Sequence, residues 1–429
     1  MALQLIDGKN CLEQFNEKHC VVLYGSRFVV THDEYDPTIR RTRTVFMRTE
    51  DFKKLYAHIA VRMGRGKEPI PAAEWWLAHK ERRQAKGIVF DPSDSSEGYV
   101  NLWRDFSVKP EKKDCSRFLK LIKEVICDGD EKRYEFFVGY FAHMVQRPWE
   151  LPETALILVG EQGTGKSFVI RQFSRLIAEH ATMVSQRKHL VGGFNAHMAR
   201  TLLLTADEVS IATIFATNAM KAPITEPTIM LEAKGHDAVA IRNCIRFVLI
   251  TNDPHVVIMG SKERRFAVYD VNNLHQQDHK FFEEMTNYMN NGGLEGLMHH
   301  LMTFDLSQFN VRKVPRSKGF SRQVEQSFDH VTRFWYERLL EGEIKTGQGW
   351  PKDMAKDEIT EEYLLSCSIA GVNRRSSETA LFRRVRELCP DIKEYRPAGN
   401  KPRRFQFPVL QDARKAFDKY TGIDWSWDE

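Results

Sequence analysis

Residues Leu156 to Phe173 read LILVGEQGTGKSFVIRQF: an apolar run, a loop with three glycines and one lysine, then a helical pattern. The loop satisfies G-x-x-x-x-G-K-[ST] and stands between a strand-like and a helix-like run, the context that gives this spacing physical meaning. Gly160, Gly163 and Gly165 allow a tight backbone path on which successive N–H groups point inward at an anion. The following helix, with Phe173, Leu176 and Ile177 on its apolar stripe, turns its positive N-terminal end to the same place. Lys166 is a mobile charge for β- and γ-phosphates, and Ser167 offers a hydroxyl to Mg²⁺. Gly160, Gly163, Thr164, Gly165, Lys166 and Ser167 are therefore expected to bind ATP, with Mg²⁺ on Ser167 and one further acid.

Strand-like runs recur at 155–159, 201–206, 246–251 and 266–271, and helical patterns separate most of them. That alternation predicts an α/β unit with a mainly parallel sheet. The second run, TLLLTADE, ends in two carboxylates. Asp207 is placed to hold Mg²⁺ and Glu208 to polarise an attacking water, which favours hydrolysis over phosphoryl transfer to a metabolite. The third run, RFVLITND, ends at Asn252, an amide suited to sensing the γ-phosphate. Arg264 and Arg265 precede the fourth run and are poorly placed for the phosphates of their own subunit. An arginine lent to a neighbour's nucleotide stabilises the spread charge of the transition state and requires a ring or another head-to-tail assembly. Between the acids and Asn252, EPTIMLEAKGHDAVAIRNC reads as a hairpin whose tip carries Lys234 and His236.

The order of these motifs resembles the superfamily 3 helicases, a branch of the AAA+ ATPases. More narrowly, the stretches DCSRFLKLIKEVICDGDEKRYEFFVGYFAHMVQRP, KHLVGGFNAHM, ITEPTIMLEAKGHDAVAIRN and KERRF are similar to the helicase part of phage, prophage and plasmid primase–helicases. The resemblance covers residues 100 to 325 well and the ends more loosely. It implies a hexameric ring that hydrolyses ATP between subunits and moves along single-stranded or forked DNA. Lys166, Asp207, Glu208, Asn252 and one of Arg264 and Arg265 would then form the catalytic set, with Ser167 and Asp207 on the metal. Lys234, with His236 beside it, would grip a DNA phosphate in the channel. About 110 residues precede the helicase part, too few for a priming domain, so no priming activity is expected and a separate primase or polymerase becomes a partner. One departure is Pro223, inside an expected helix that it should break or end.

The expected fold class is α/β. It comprises a small α+β domain over 1–110, a helical collar over 111–150, an AAA+ core over 151–310 and a basic linker over 311–328. A winged-helix-like domain over 329–429 completes it. That last domain reads as helix, helix and hairpin, and its Arg383, Arg384, Arg403 and Arg404 suit contacts to a DNA backbone, although wings also bind protein. The N-terminal run THDEYDP reads as a solvated turn rather than a metal site.

Over 429 residues the net charge is only +5, so charge alone selects no partner class. Seven dispersed cysteines without a C-x-x-C pair read as reduced thiols. No apolar run approaches the roughly 18 residues that span a bilayer, and no secretion signal is visible, so a cytoplasmic setting in a bacterial or phage-infected cell is expected. Two other readings compete: an AAA+ origin-melting initiator or remodeller without processive unwinding, and a monomeric P-loop kinase of a small molecule.

Overall fold

Five parallel strands form the central sheet: β1 (Ala155–Val159), β2 (Ala181–Val184), β3 (Leu203–Asp207), β4 (Arg246–Thr251) and β5 (Phe266–Asp270), in the spatial order β2-β3-β4-β1-β5. The computed structural model describes all residues except 1–2, 38–40, 65–66, 193–194, 210–212, 233–236, 400 and 428–429, and not the side chains of 36, 41, 191 and 214–216. β1 is buried at every position and so is β4, because helices cover both faces of a parallel sheet. The chain is a mixed α/β protein divided into two compact units. The first consists chiefly of residues 3–209 with Asn218–Asp253 and Arg265–Pro315, the second chiefly of Arg316–Glu429 with Pro254–Arg264.

In the first unit the helix Glu131–Gln146 meets the sheet through Phe137, edge-on to Tyr269 with ring centroids 5.3 Å apart, and meets the helix Lys166–Leu176 through Phe141, stacked on Phe173 at 3.7 Å. Hydrogen bonds fix its angle: Tyr140 Oη donates to Thr154 O at 3.1 Å, and Tyr269 Oη donates to Arg133 O at 3.1 Å. At its C-terminal end Arg246, fully buried, donates to Pro148 O, Arg147 O and Cys244 O at 2.7–2.9 Å. A cation there meets the negative end of the helix dipole, which offsets part of the cost of burying it. Burial still lowers the Arg246 pKa to about 10.

The N-terminal residues carry a core of their own around Phe15, Phe52 and Trp76. Val22, Tyr24, Val29, Ile88, Phe90 and Leu102 instead join the core of the central sheet. His19–Tyr24 pairs with Arg27–Asp36 as a hairpin about a turn at Gly25. The run THDEYDP is not a turn. Residues 31–36 extend the second strand and pair with Arg41–Arg48. Cross-strand partners supply the reason: Arg43 donates to Glu34 at 2.7 Å and Thr44 Oγ1 donates to Asp33 at 2.7 Å, so polar residues sit paired on a strand.

Pro223 lies inside the helix Ile214–Thr225, which runs on past it to Thr225 rather than stopping at the proline. Asn243, itself buried, donates to Pro223 O at 2.6 Å and Glu226 O at 2.8 Å and so satisfies carbonyls at the end of that helix. The expected linker also contains a helix, Lys318–Gln326: Ser317 accepts from Phe320 N, and Phe320 and Val324, one turn apart, are buried. Further along the second unit, helices His330–Glu341, Lys356–Ile369, Glu378–Leu388 and Leu410–Thr421 surround a three-stranded antiparallel sheet. Arg404–Gln406 is its middle strand, between Asp353–Ala355 and Lys393–Tyr395. All seven cysteines are free and buried, and burial pushes the thiols of Cys127 and Cys389 up to about 12.

His143 packs beside Arg246, Nδ1 3.2 Å from Nη2, and its pKa is lowered to about 3 by burial first and by Arg246, Arg147 and Arg312 after it. The folded state therefore binds fewer protons at this position than the unfolded chain, and stability falls as pH drops from about 6.5 towards 3. His143→Gln should flatten that limb. Urea midpoints across this window test it, and an acid limb of unchanged steepness in the variant would contradict the assignment.

Candidate nucleotide site

The loop 160–165 leaves the C-terminal end of β1 and enters α1 (Lys166–Leu176). Parallel register lines up the neighbouring strand ends, Val159 opposite Thr251 and Asp207 opposite Ile250. Lys166, Ser167, Asp207, Glu208 and Asn252 thus reach one cavity of about 540 Å³, together with Gly163, Thr164 and Gly165. These residues come from three separate segments of sequence. Gly160 is not among the lining residues. It admits the close approach of β5, since a Cβ there would lie 2.9 Å from Val271 O.

Lys166 is 6% exposed, and its ammonium donates to Gly160 O and Glu161 O, each at 2.6 Å, within its own loop. Burial lowers its pKa, and Asp207, Glu208 and Glu161 pull in the opposite direction. Ser167 Oγ donates to Asp207 Oδ2 at 3.0 Å. Glu208 follows directly, with its backbone in the left-handed region (φ 57°) and its N–H on Ile250 O at 2.9 Å. A non-glycine residue in that region costs on the order of 1 kcal/mol, and the turn leaves Glu208 exposed in the cavity wall.

The wall facing the loop comes from Gln277, His279 and Phe282, beyond β5, none of which the sequence motifs single out. Gln277 N donates to Gly163 O at 3.0 Å. Gly163 and Gly165 both adopt positive φ, 81° and 95°. A Cβ on Gly163 would lie 3.0 Å from Gln277 Cγ, and one on Gly165 2.7 Å from Phe282 Cζ. The only trace in sequence is Asp278, which caps the helix His279–Tyr288 by accepting from Phe281 N at 3.1 Å. The donor set fits a nucleoside triphosphate with Mg²⁺: glycines whose side chains would fill the cradle, a lysine at its rim, and a hydroxyl paired with a carboxylate where a hard cation would bind.

The remaining expected site residues lie elsewhere. Arg265 immediately precedes β5, at the end of the sheet opposite the loop, since Phe266 pairs with Ala155 at the start of β1. Arg264 is exposed. Lys234 and His236 fall outside the described residues. In the second unit Arg383 is exposed, whereas Arg384 pairs with Asp329 at 3.2 Å and Glu387 at 3.0 Å. Arg404 pairs with Asp353, and Glu394 gathers Arg403, Arg386 and Lys356 within 3.1–3.5 Å. The basic surplus counted along the sequence is thus partly taken up by internal pairs.

The glycine-lysine loop after β1, the amide after its neighbour β4 and the two acids at the end of β3 beyond β4 thus share one edge of a five-stranded parallel sheet in a mixed α/β fold. Residues 158–265 match a family described only as of unknown function (DUF5906). The chain is similar to a DNA primase-polymerase of Nitratiruptor phage NrS-1, with 27% identity over 260 residues, 58% of this chain and 36% of the relative. It therefore spans about a third of the length of that curated relative. Its fold matches the apo structure of the NrS-1 C-terminal region (305–718), with a TM-score of 0.65 and 19% identity over 93% of this chain and 99% of the other. A second, A-form apo structure of the same region gives 0.64 and 20% over 92% and 98%.

Gly165→Ala should destabilise the protein by roughly 1–3 kcal/mol, from positive-φ strain and overlap with the Phe282 ring. Adding Phe282→Ala should return the overlap part only. Thermal melts of the two single variants and the double variant measure this, and strict additivity would contradict the contact.

Proposed function

We propose that this chain is an ATP-driven DNA helicase of phage or mobile-element replication, a member of the superfamily 3 branch of AAA+ ATPases that works as a head-to-tail ring, hexameric by resemblance. The strand order supports the class: the P-loop strand β1 lies between β4 and β5, with the acid-bearing strand β3 beyond β4. The sequence similarity to a phage DNA primase-polymerase supports the setting, with a separate primase or polymerase as partner. No described helix is long and apolar enough to cross a membrane. The second unit's helices and three-stranded sheet support a winged-helix-like module.

One observation carries the ring. Arg265 stands at the start of β5 and the phosphate loop at the far end of adjacent, parallel β1. Five residues of strand separate the two ends, roughly 16 Å at the usual rise per residue. An arginine from that end completes a neighbour's site, not its own. Within a site, Lys166 would hold the β- and γ-phosphates, and Ser167 and Asp207 the Mg²⁺, which neutralises phosphate charge when bound. Glu208 would accept the proton of the attacking water while Asn252 orients it, and Lys234 would hold the DNA strand.

Lys166→Ala and an Arg264→Ala/Arg265→Ala double variant should each lose ATP hydrolysis by about 10³-fold or more. Mixed in equal amounts, they should recover about a quarter of the wild-type rate, because one interface arrangement in four pairs an intact loop with an intact arginine. No recovery in rings shown to contain both chains would sink the shared site. Lys234→Ala should abolish strand displacement while leaving basal hydrolysis. Hydrolysis stimulated by DNA, without any strand displacement by the wild type, would point instead to an initiator or remodeller.

A further inference from the structure

Thr228–Leu231 and Val239–Arg242, which flank Lys234 in the sequence, pair as an antiparallel hairpin described up to Glu232 and again from Asp237, and the two strands have different supports. Its outgoing strand, Thr228–Leu231, is held by Asn195, which donates from Nδ2 to Met230 O and accepts from Glu232 N, both at 2.8 Å. The returning strand, Val239–Arg242, meets residues of the first hundred. Asp237 touches the turn of the N-terminal hairpin: a Cβ on Gly25 would lie 3.0 Å from Asp237 O, 3.2 Å from its Cβ and 3.3 Å from its N. Val239 is partly buried against the large core cluster of the first unit. At the strand's end Arg242 Nη1 lies 3.8 Å from Asp91 Oδ1.

Asp91 is built to stay charged and to stay put. Its side chain is 6% exposed. Oδ1 accepts from Ser93 N at 3.0 Å and Ser93 Oγ at 2.5 Å, and Oδ2 from Ser95 N, Ser95 Oγ and Ser96 Oγ at 2.7–3.1 Å. Asn101 clamps the Asp91 backbone, donating to its O at 2.9 Å and accepting from its N at 3.1 Å. Burial pushes the carboxyl upward, but the serine hydrogen bonds together outweigh it and hold the group well below the usual carboxylate range. Arg242, half exposed, approaches this rigid anion at ion-pair distance.

We infer that the N-terminal residues are a brace for the DNA-gripping hairpin, with Arg242 as a positioning residue docked on the Asp91 loop and Gly25 as the point where the N-terminal turn abuts the hairpin. This role rests on the helicase reading above and gives residues 1–110 a task within it. The brace fixes the returning strand, so a tip that binds a DNA phosphate moves with the strand leading into β4 instead of flexing alone. Neither Arg242 nor Gly25 belongs to the cavity where hydrolysis is placed.

Two measurements on the full chain separate the brace from the helicase reading. The first is hydrogen exchange of the peptide spanning 228–242, which needs neither nucleotide nor DNA. Arg242→Gln should speed exchange there by about two- to fivefold, the range expected when one partly exposed ion pair is lost. Gly25→Ala should do the same through contact with Asp237, and Arg242→Lys should restore much of the protection. Exchange over 155–159 should stay unchanged. The second is ATP hydrolysis with and without single-stranded oligonucleotide: both loosened variants should keep the basal rate and lose at least about half of the DNA stimulation. Unchanged exchange at 228–242 in both variants overturns the brace. Faster exchange with undiminished DNA stimulation overturns its role in positioning. A wild type that shows no DNA stimulation at all counts against the helicase reading, and the exchange rates then decide the brace by themselves.

Discussion

Parallel strands must be joined by crossovers, so every segment that follows a strand emerges at the same edge of the sheet. Nearly everything chemical in this protein follows from that constraint. The glycine-lysine loop, the Asp207–Glu208 pair and Asn252 are separated by up to about ninety residues, yet each is simply what comes after β1, β3 or β4. Register does the rest, aligning Val159 with Thr251 and Asp207 with Ile250. The same constraint keeps Arg265 away, because it comes before a strand. A single geometric rule therefore brings the loop, the acid pair and the amide to one edge of the sheet and leaves Arg265 at the other.

The sheet does not stand alone on its helices. Arg246 opens β4 and closes the end of the helix Glu131–Gln146, bonding carbonyls at Arg147 and Pro148. Tyr140 and Tyr269 add hydrogen bonds from opposite partners, one from helix to sheet and one from sheet to helix. Buried polar contacts of this kind contribute modestly to stability when made and cost much more when broken, so they fix an angle more than they add strength. The helix Glu131–Gln146 and β4 are thereby set in one orientation, and β4 is the strand that presents Asn252.

How much of this can be read from sequence depends on whether the signal is local. The loop motif and the apolar runs ending in acid or amide depend on neighbours within a few residues, and the structure places them on strand ends as read. β2 leaves little trace because ATMV is short, sits at the sheet edge and alternates less than it should: only Val184 of its four residues is buried. The acidic run at 31–36 reads wrongly as a turn because its stabilising partners, Arg43 and Thr44, lie on the neighbouring strand and propensity counts cannot see them. Gln277, His279 and Phe282 have no periodic signature at all. Their importance comes from facing Gly163 and Gly165, a purely tertiary fact. The basic character of the C-terminal helix and wing is legible as a count but not as a surface, since Glu394 and Asp329 neutralise several of those arginines only once the chain is folded.

The hairpin 228–242 shows what the connectivity achieves beyond placing residues. Asn195, which holds its outgoing strand, belongs to the short segment that leads into β3 and hence to Asp207 and Glu208. Its returning strand ends at Arg242, only four residues before Arg246 begins β4 and leads to Asn252. The two strands that would sense the nucleotide are therefore the two that anchor the hairpin, one through a side-chain amide and one through the chain itself. Such an arrangement has few soft joints. Leu231 and Ile241 are buried and Asn243 is locked between Pro223 O and Glu226 O, so the hairpin cannot pivot at its base without breaking packing or hydrogen bonds. The two hairpin strands are thereby tied to β3 and β4, through Asn195 on one side and through the chain from Arg242 to Arg246 on the other.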